Sequence, residues 1–114
     1  MPKHPRFSIR RDKQGEFRFN LTAANGQVVL ASEGYRTRAS CEAGIASVQR
    51  SCVEDASFRR QQARNGKHYF SVLAPNQRIV GTSQLYTARA SMENGIRSVQ
   101  ANAPTARIAD ESAG

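Results

Sequence analysis

The sequence predicts an α+β protein: two tandem β-β-β-α(-β) repeats forming a single, mainly antiparallel sheet with two helices packed on one face. The first observation is an internal repeat, because Phe7 matches Phe58 and Tyr35 matches Tyr86 at a constant, gapless offset of 51 residues. The second is that each half has apolar residues at period two and then at helical spacing. The third is that one three-stranded unit with one helix leaves its core half open, which a second copy closes.

The match is densest near the end of each half. Arg38-Ala39-Ser40-x-Glu42-x-Gly44-Ile45-x-Ser47-Val48-Gln49 aligns with Arg89-Ala90-Ser91-x-Glu93-x-Gly95-Ile96-x-Ser98-Val99-Gln100. We therefore divide a single domain of residues 1–114 into repeat one, residues 7–53, and repeat two, residues 58–104. Residues 1–6 and 110–114 are predicted to be flexible ends.

Three strands are expected in each repeat. In repeat one, Phe7 and Ile9 alternate with polar residues, as do the apolar residues of 17–21, which is typical of half-buried strands. The third strand is predicted at residues 27–32. Asn25-Gly26 before it predicts a type I′ hairpin turn, whereas Asn76-Gln77 in repeat two lacks the glycine and indicates a different or more strained turn.

One helix follows the third strand of each repeat. Apolar residues recur at helical spacing, with Thr37 as the N-cap of the first helix and Thr87 as a substitute cap for the second. Gly44 and Gly95 at the same place in both helices indicate close approach of helix and sheet. Pro104 ends the second helix, and residues 105–109 are able to add a short last strand. The helical stripes are Cys41, Ile45, Val48, Cys52 and Met92, Ile96, Val99, Ala103.

Length and composition restrict the class of protein. The 114 residues fit one domain, and 39% hydrophobic with 23% charged residues argues against a disordered chain. No apolar run approaches the roughly 20 residues of a membrane helix, and no secretory signal is predicted. Cys41 and Cys52 lie about 16 Å apart along one predicted helix, too far for a disulfide. Two free thiols predict a cytoplasmic protein.

A family resemblance rests on residues of both repeats. Phe17-Arg18-Phe19-x-Leu21-x-Ala23-Ala24-Asn25-Gly26-Gln27, then Ser32-Glu33-Gly34-Tyr35, and then the helix that begins at Ala39-Ser40, resemble the YegP-like family of small, uncharacterised bacterial proteins. The resemblance covers residues 7 to 104. It implies β-β-β-α-β units joined in one sheet, with the C-terminal strands exchanged between units, and it implies no reaction.

The residues predict no catalytic site, no metal site and no cofactor. A catalytic base needs an oriented partner, and His68 falls at an inward strand position with no such partner in the pattern. Cys41 lies on the apolar stripe, and its match in repeat two is Met92, which indicates packing. The four His and Cys residues lack the spacing of zinc ligands. We therefore predict no enzymatic activity, with an enzyme that uses a pocket lined by Arg and Asn (Asn25, Arg38 or their matches) as the alternative.

The basic excess is the remaining functional signal. The net charge is +8, and Arg10, Arg18 and Tyr69 are expected to share the open face of the sheet. Arginine and aromatic side chains on such a face bind single-stranded nucleic acid by charge and stacking. Tyr35 and Tyr86 are instead expected to fill the joint between sheet and helix. The candidate basic surface consists of Arg10, Arg11, Arg18, Arg59, Arg60, Arg64 and Lys67.

These observations predict a small non-catalytic binding or interaction module. One alternative is weak, salt-dependent nucleic-acid binding through the Arg-rich hairpins. The other binding alternative is protein interaction through a sheet edge or the open face. No membrane partner is expected. Because two units in one chain satisfy each other, we also predict a monomer.

Overall fold

Seven strands form one sheet in the order β4-β5-β6-β3-β2-β1-β7. The computed structural model describes residues 4–112. Every neighbouring pair is antiparallel except β1 and β7, which are parallel. The elements are β1 Arg6–Arg11, β2 Phe17–Thr22, β3 Val28–Ala31, α1 Arg38–Ser51, β4 Phe58–Gln62, β5 His68–Leu73, β6 Ile79–Thr82, α2 Arg89–Asn102 and β7 Arg107–Asp110. The predicted α+β fold is confirmed.

A pseudo-twofold axis relates the repeats. It passes between β3 and β6, where Ala31 pairs with Thr82, its own match at the 51-residue offset. A twofold axis that relates antiparallel neighbours of one sheet is perpendicular to that sheet, so both helices lie on the same face. Residues that match at this offset are called counterparts.

The core lies between the helices and the sheet, and the same aromatic arrangement occurs twice. Phe7 meets Phe19 edge to face at 5.6 Å between ring centroids, and Tyr35 stacks on Phe19 at 6.4 Å. Their counterparts repeat this at 5.7 and 6.5 Å. Both tyrosines pack against the core at the joint between sheet and helix, as the sequence predicts.

The close approach at the helical glycines has a specific cause. A Cβ on Gly44 would lie 2.9 Å from Cζ of Tyr35 and 3.3 Å from a ring carbon of Phe19. On Gly95 it would meet the counterpart tyrosine in the same way. Each glycine therefore receives a tyrosine ring from the segment before its helix, which explains why both repeats have glycine there despite its cost in a helix.

Three details of the sequence prediction are corrected. Arg6 and Asp110, assigned to the flexible ends, are the first residue of β1 and the last of β7, because these strands pair with each other. Thr37 caps α1 as predicted, but α2 begins after Ala88 with no side-chain cap, so Thr87 does not substitute. Of the other residues in the predicted ends, the structure describes 4–5 and 111–112, and residues 1–3 and 113–114 lie outside the described residues.

The β2–β3 turn is not of type I′. Only Gly26 has a positive φ (88°) in this turn, and Gly26 N–H donates to the Ala23 carbonyl, which is the pattern of a type I turn with a bulge. Repeat two uses the same turn with Gln77 at φ 71°. The predicted strain is therefore present, since a side chain in the left-handed region costs roughly 1–2 kcal/mol.

We expect Gln77→Gly to stabilise the protein by about 1 kcal/mol, because glycine adopts this conformation without a steric penalty. The melting temperature rises by roughly 4 °C in a chain of this size. The matched control is Gly26→Gln, which should lower it by a similar amount. Thermal unfolding followed by circular dichroism measures both, and an unchanged or lowered value for Gln77→Gly would refute the assignment of strain to this turn.

Candidate functional site

The predicted basic surface does not form one patch. Arg10 and Arg18 are cross-strand partners on the open face, as predicted, and Tyr69 is the counterpart of Arg18 on that face. Arg59 shares this face but lies on β4, at the other edge of the sheet. Five strand spacings, about 24 Å, separate it from Arg10.

Two arginines near the first hairpin are already engaged. Nε of Arg18 lies 2.8 Å from Oδ2 of Asp12, and this hydrogen bond holds the pKa of the Asp12 carboxyl below its usual value. Arg11 points to the helix side, where its guanidinium lies over the ring of Phe17 at 4.9 Å from the centroid. Both contacts make the guanidinium groups of these side chains less available for binding an external anion.

Arg60 is held by two carboxylates on the helix face. Its Nε lies 2.6 Å from Oε2 of Glu93 on α2, and its Nη2 lies 3.0 Å from Oδ1 of Asp55. The hydrogen bond from Arg60 lowers the pKa of Glu93. Arg60 is therefore neutralised and belongs to a different face from Arg10. The other two candidates, Arg64 and Lys67, are exposed in the region of the β4–β5 turn.

A cleft of about 480 Å³ lies between the repeats, bounded by the start of α1 and the β5–β6 turn. It contains Asn76, the counterpart of Asn25, together with Arg78 and the half-buried Tyr35. This is the kind of pocket that the enzyme alternative requires. However, burial raises the pKa of Tyr35, which keeps its hydroxyl protonated, and Asn76 Oδ1 accepts from the Arg78 N–H within the turn.

The two cysteines and His68 occupy structural positions. Cys41 in α1 and Cys52 at its C-terminus are free and fully buried, and burial raises the pKa of the Cys41 thiol to about 11. His68 is half-buried at the start of β5, where its backbone pairs with Tyr86. Within residues 4–112, no group of three or more His, Cys, Asp or Glu residues is placed to hold a metal ion, and no helix is long and apolar enough to span a membrane.

The edge of repeat one has an arrangement that the repeat pattern does not reveal. β7, which follows α2 of repeat two, lies parallel to β1 of repeat one, with Ile108 opposite Phe7 and Asp110 opposite Ile9. The N–H of Glu111 donates to the Ile9 carbonyl at 2.8 Å. The edge of repeat one thus binds an extended segment that comes from the other repeat.

Arg38 holds the end of that segment. Its Nε lies 2.8 Å from Oδ2 of Asp110, and its Nη2 donates to Oγ of Ser112 at 3.0 Å. Hydrogen bonds from Ser112, together with the charge of Arg38, lower the pKa of Asp110. The sequence hints at a role for Arg38, because the repeat alignment places Arg89 at the same position. The spacing of the residues does not show that Asp110 is the partner of Arg38.

The comparisons with known proteins agree with this architecture. A family model described as a domain of unknown function, DUF1508, matches twice, at residues 12–57 and 63–110. A UPF0339 protein of Acinetobacter baylyi is 44% identical over 104 residues, covering 91% of this chain and 94% of its own length. UPF0339 protein YegP of Escherichia coli K12 is 39% identical with the same coverage.

Two solved structures match closely. The solution NMR structure of E. coli YegP, described as a protein of unknown function, has a TM-score of 0.93 at 36% identity and covers 100% of this chain and 98% of that one. A UPF0339 protein of Shewanella oneidensis has a TM-score of 0.90 at 37% identity, covering 95% and 92%. The fold therefore defines a tandem-repeat protein of the DUF1508 class.

The chain belongs to the UPF0339 family, the YegP-like proteins, as the sequence resemblance indicates. The descriptions of these relatives name no reaction, ligand or partner. The biochemical role is therefore inferred from the edges and faces of the sheet.

Proposed function

We propose that the protein is a non-catalytic binding module that accepts extended protein segments as added strands at the edges of its sheet. One observation carries the proposal: the edge of repeat one already holds the extended segment β7 in this way. Main-chain hydrogen bonds supply affinity in such strand addition, and side chains at alternate positions supply specificity. The segment comes from a different structural unit, so the edge acts as a receptor for a strand.

The opposite edge of the sheet supports the same function. Among residues 4–112, β4 is the terminal strand and pairs only with β5. Exposed edges are templates for pairing, and natural proteins restrict them with charged side chains. Arg59 restricts pairing at this edge to partners of opposite charge, whereas Arg60 is already paired with Asp55 and Glu93.

NMR spectroscopy of the ¹⁵N-labelled full-length protein tests this function. Extended peptides of about eight residues, some neutral and some acidic, are added up to millimolar concentration. The proposal expects shifts of backbone amides in β4 or β7 with at least one peptide. Absence of shifts with every peptide, or shifts confined to the helices, would contradict it.

Nucleic-acid binding is a second candidate, favoured by the arginines of the open face. Arg6 and Arg107 are register partners there, in line with Arg10 along the strand direction. Lysine and arginine contacts with phosphates make binding fall steeply with salt. This candidate is separate from strand addition, because it uses the sheet face and not its edge.

If nucleic acid binds, replacing Arg10, Arg11 and Arg18 together by Gln should lower the affinity. Arg10→Gln alone should cause most of this loss of affinity. Arg18 is paired with Asp12 and Arg11 covers Phe17, whereas Arg10 forms no ion pair among residues 4–112, so its charge is the most available to phosphate. Each lost phosphate contact should reduce the log–log salt slope by about 1. Fluorescence anisotropy with single-stranded and duplex oligonucleotides at low and moderate salt measures this. No binding at low salt would exclude the candidate.

A further inference from the structure

The pseudo-twofold axis defines a strand position beside β4. Rotation about the axis exchanges β1 and β4, so the place of β7 beside β1 corresponds to a place at the outer side of β4. Among residues 4–112, β4 has a hydrogen-bonded neighbour on one side only. Both ends of the described chain lie at the opposite edge of the sheet.

The groups that receive β7 have counterparts at this edge. Phe58 is the counterpart of Phe7. Arg60 is the counterpart of Ile9, the β1 residue that lies opposite Asp110 of β7. The counterpart of Arg38 is Arg89, at the first turn of α2. A depression of about 230 Å³ at this place is lined by Arg60, Gln61, Gln62, His68, Arg89 and Met92.

Arg89 differs from Arg38 in one respect. Arg38 forms an ion pair with Asp110 of β7, whereas no carboxylate of residues 4–112 lies within 4.0 Å of the Arg89 guanidinium. The charges of the surroundings point the same way. Residues 54–67 together with the start of α2 contain three carboxylates, Glu54, Asp55 and Glu93, and a larger set of cations: Arg59, Arg60, Arg64, Lys67 and Arg89.

We propose that the β4 edge binds an extended acidic segment of a partner protein, parallel to β4, with an apolar residue opposite Phe58 and a carboxylate two residues later that pairs with Arg89. The proposal rests on the proposed function and specifies its partner. The template is the β7–β1 pair, in which Ile108 and Asp110 occupy these two positions. Charge complementarity distinguishes this occupant from a second copy, whose β4 edge carries the same arginines.

The probe is a peptide with the sequence of residues 104–112, which contains the β7 strand. Calorimetric titration into the full-length protein should give a dissociation constant of about 0.1–1 mM, since a short peptide has to be ordered on binding. Arg89→Gln should weaken binding about tenfold, as should the Asp110→Asn change in the peptide, because either removes the charge-assisted pair. Titrating the Asp110→Asn peptide into the Arg89→Gln protein should weaken binding little further than either change alone.

Arg38→Gln is the matched control. If the peptide docks at β4, this variant binds it as the unchanged protein does. If the peptide instead replaces the resident β7 beside β1, Arg38→Gln weakens binding and Arg89→Gln does not, which would overturn the proposal.

Two further results separate this proposal from the function on which it rests. If the neutral peptide binds the β4 edge as well as the acidic one, strand addition stands and the acidic specificity is wrong. If no peptide shifts any edge amide, both fail. A dimer of the protein that forms through β4 in the absence of peptide would also overturn the proposal.

Discussion

A Gly44→Val variant is expected to lose about 3 kcal/mol of unfolding free energy and to melt roughly 12 °C below the unchanged protein. The first carbon of the new side chain would lie 2.9 Å from Cζ of Tyr35 and 3.3 Å from Phe19. Tyr35 stacks on Phe19, so a shift of the ring away from the new side chain would disrupt this contact. Valine improves helix propensity by only a few tenths of a kcal/mol, so the overlap dominates.

Ala43→Val is the matched control for this effect. Ala43 is the exposed neighbour of Gly44 in α1, and valine there costs only the helix-propensity difference, about 0.6 kcal/mol. Gly95→Val should behave like Gly44→Val, because Tyr86 is placed in the same way. In a Tyr35→Ala background, Gly44→Val should cost much less than about 3 kcal/mol. Equal costs in both backgrounds, measured by urea unfolding, would show that the tyrosine is not the cause.

A reciprocal exchange at the pseudo-twofold axis is expected to give an effect of similar size. Leu30 is buried, and a Cβ on its counterpart Gly81 would lie 2.7 Å from Cγ of Leu30. The side chain of Leu30 thus occupies the space at the axis, and a leucine at position 81 would need the same space. Gly81→Leu should lose about 3 kcal/mol by overpacking, and Leu30→Gly should lose roughly 4 kcal/mol by leaving a cavity.

The double variant Leu30→Gly with Gly81→Leu should recover most of this loss. The axis carries the new leucine into the space that Leu30 leaves, so we expect a total cost below about 2 kcal/mol, far from the sum of the single changes. Denaturant unfolding of the four proteins measures the coupling. Additive losses would mean that the two sides of the axis are not equivalent.

Much of the fold follows from the repeat itself. The 51-residue offset predicts that whatever the first half forms, the second forms too, and the shared glycines and tyrosines already indicate a joint between helix and sheet. Thr37 is predictable as a cap because threonine is a favoured N-cap residue and Thr37 directly precedes the residues with helical spacing. These predictions are local, so the sequence contains their causes within a few residues.

The site depends on contacts between distant residues, and for that reason it was less predictable. Arg60 belonged to the predicted basic surface, but its charge is neutralised by Glu93, 33 residues away, across the strand–helix boundary. Asp110 is predicted to lie in a flexible end, because its partner Arg38 on α1 is far away in the sequence. Alternation placed Arg10 and Arg18 correctly because both lie in one hairpin.

The contacts between a bound strand and β4 test strand addition at this edge most directly. Isotope-filtered NMR of the unlabelled peptide of residues 104–112 bound to the labelled protein detects intermolecular NOEs. We expect a parallel register, with NOEs from the peptide isoleucine to Phe58 and from its aspartate to Arg60 and Arg89. NOEs only to β1, an antiparallel register along β4, or contacts confined to the open face would contradict it.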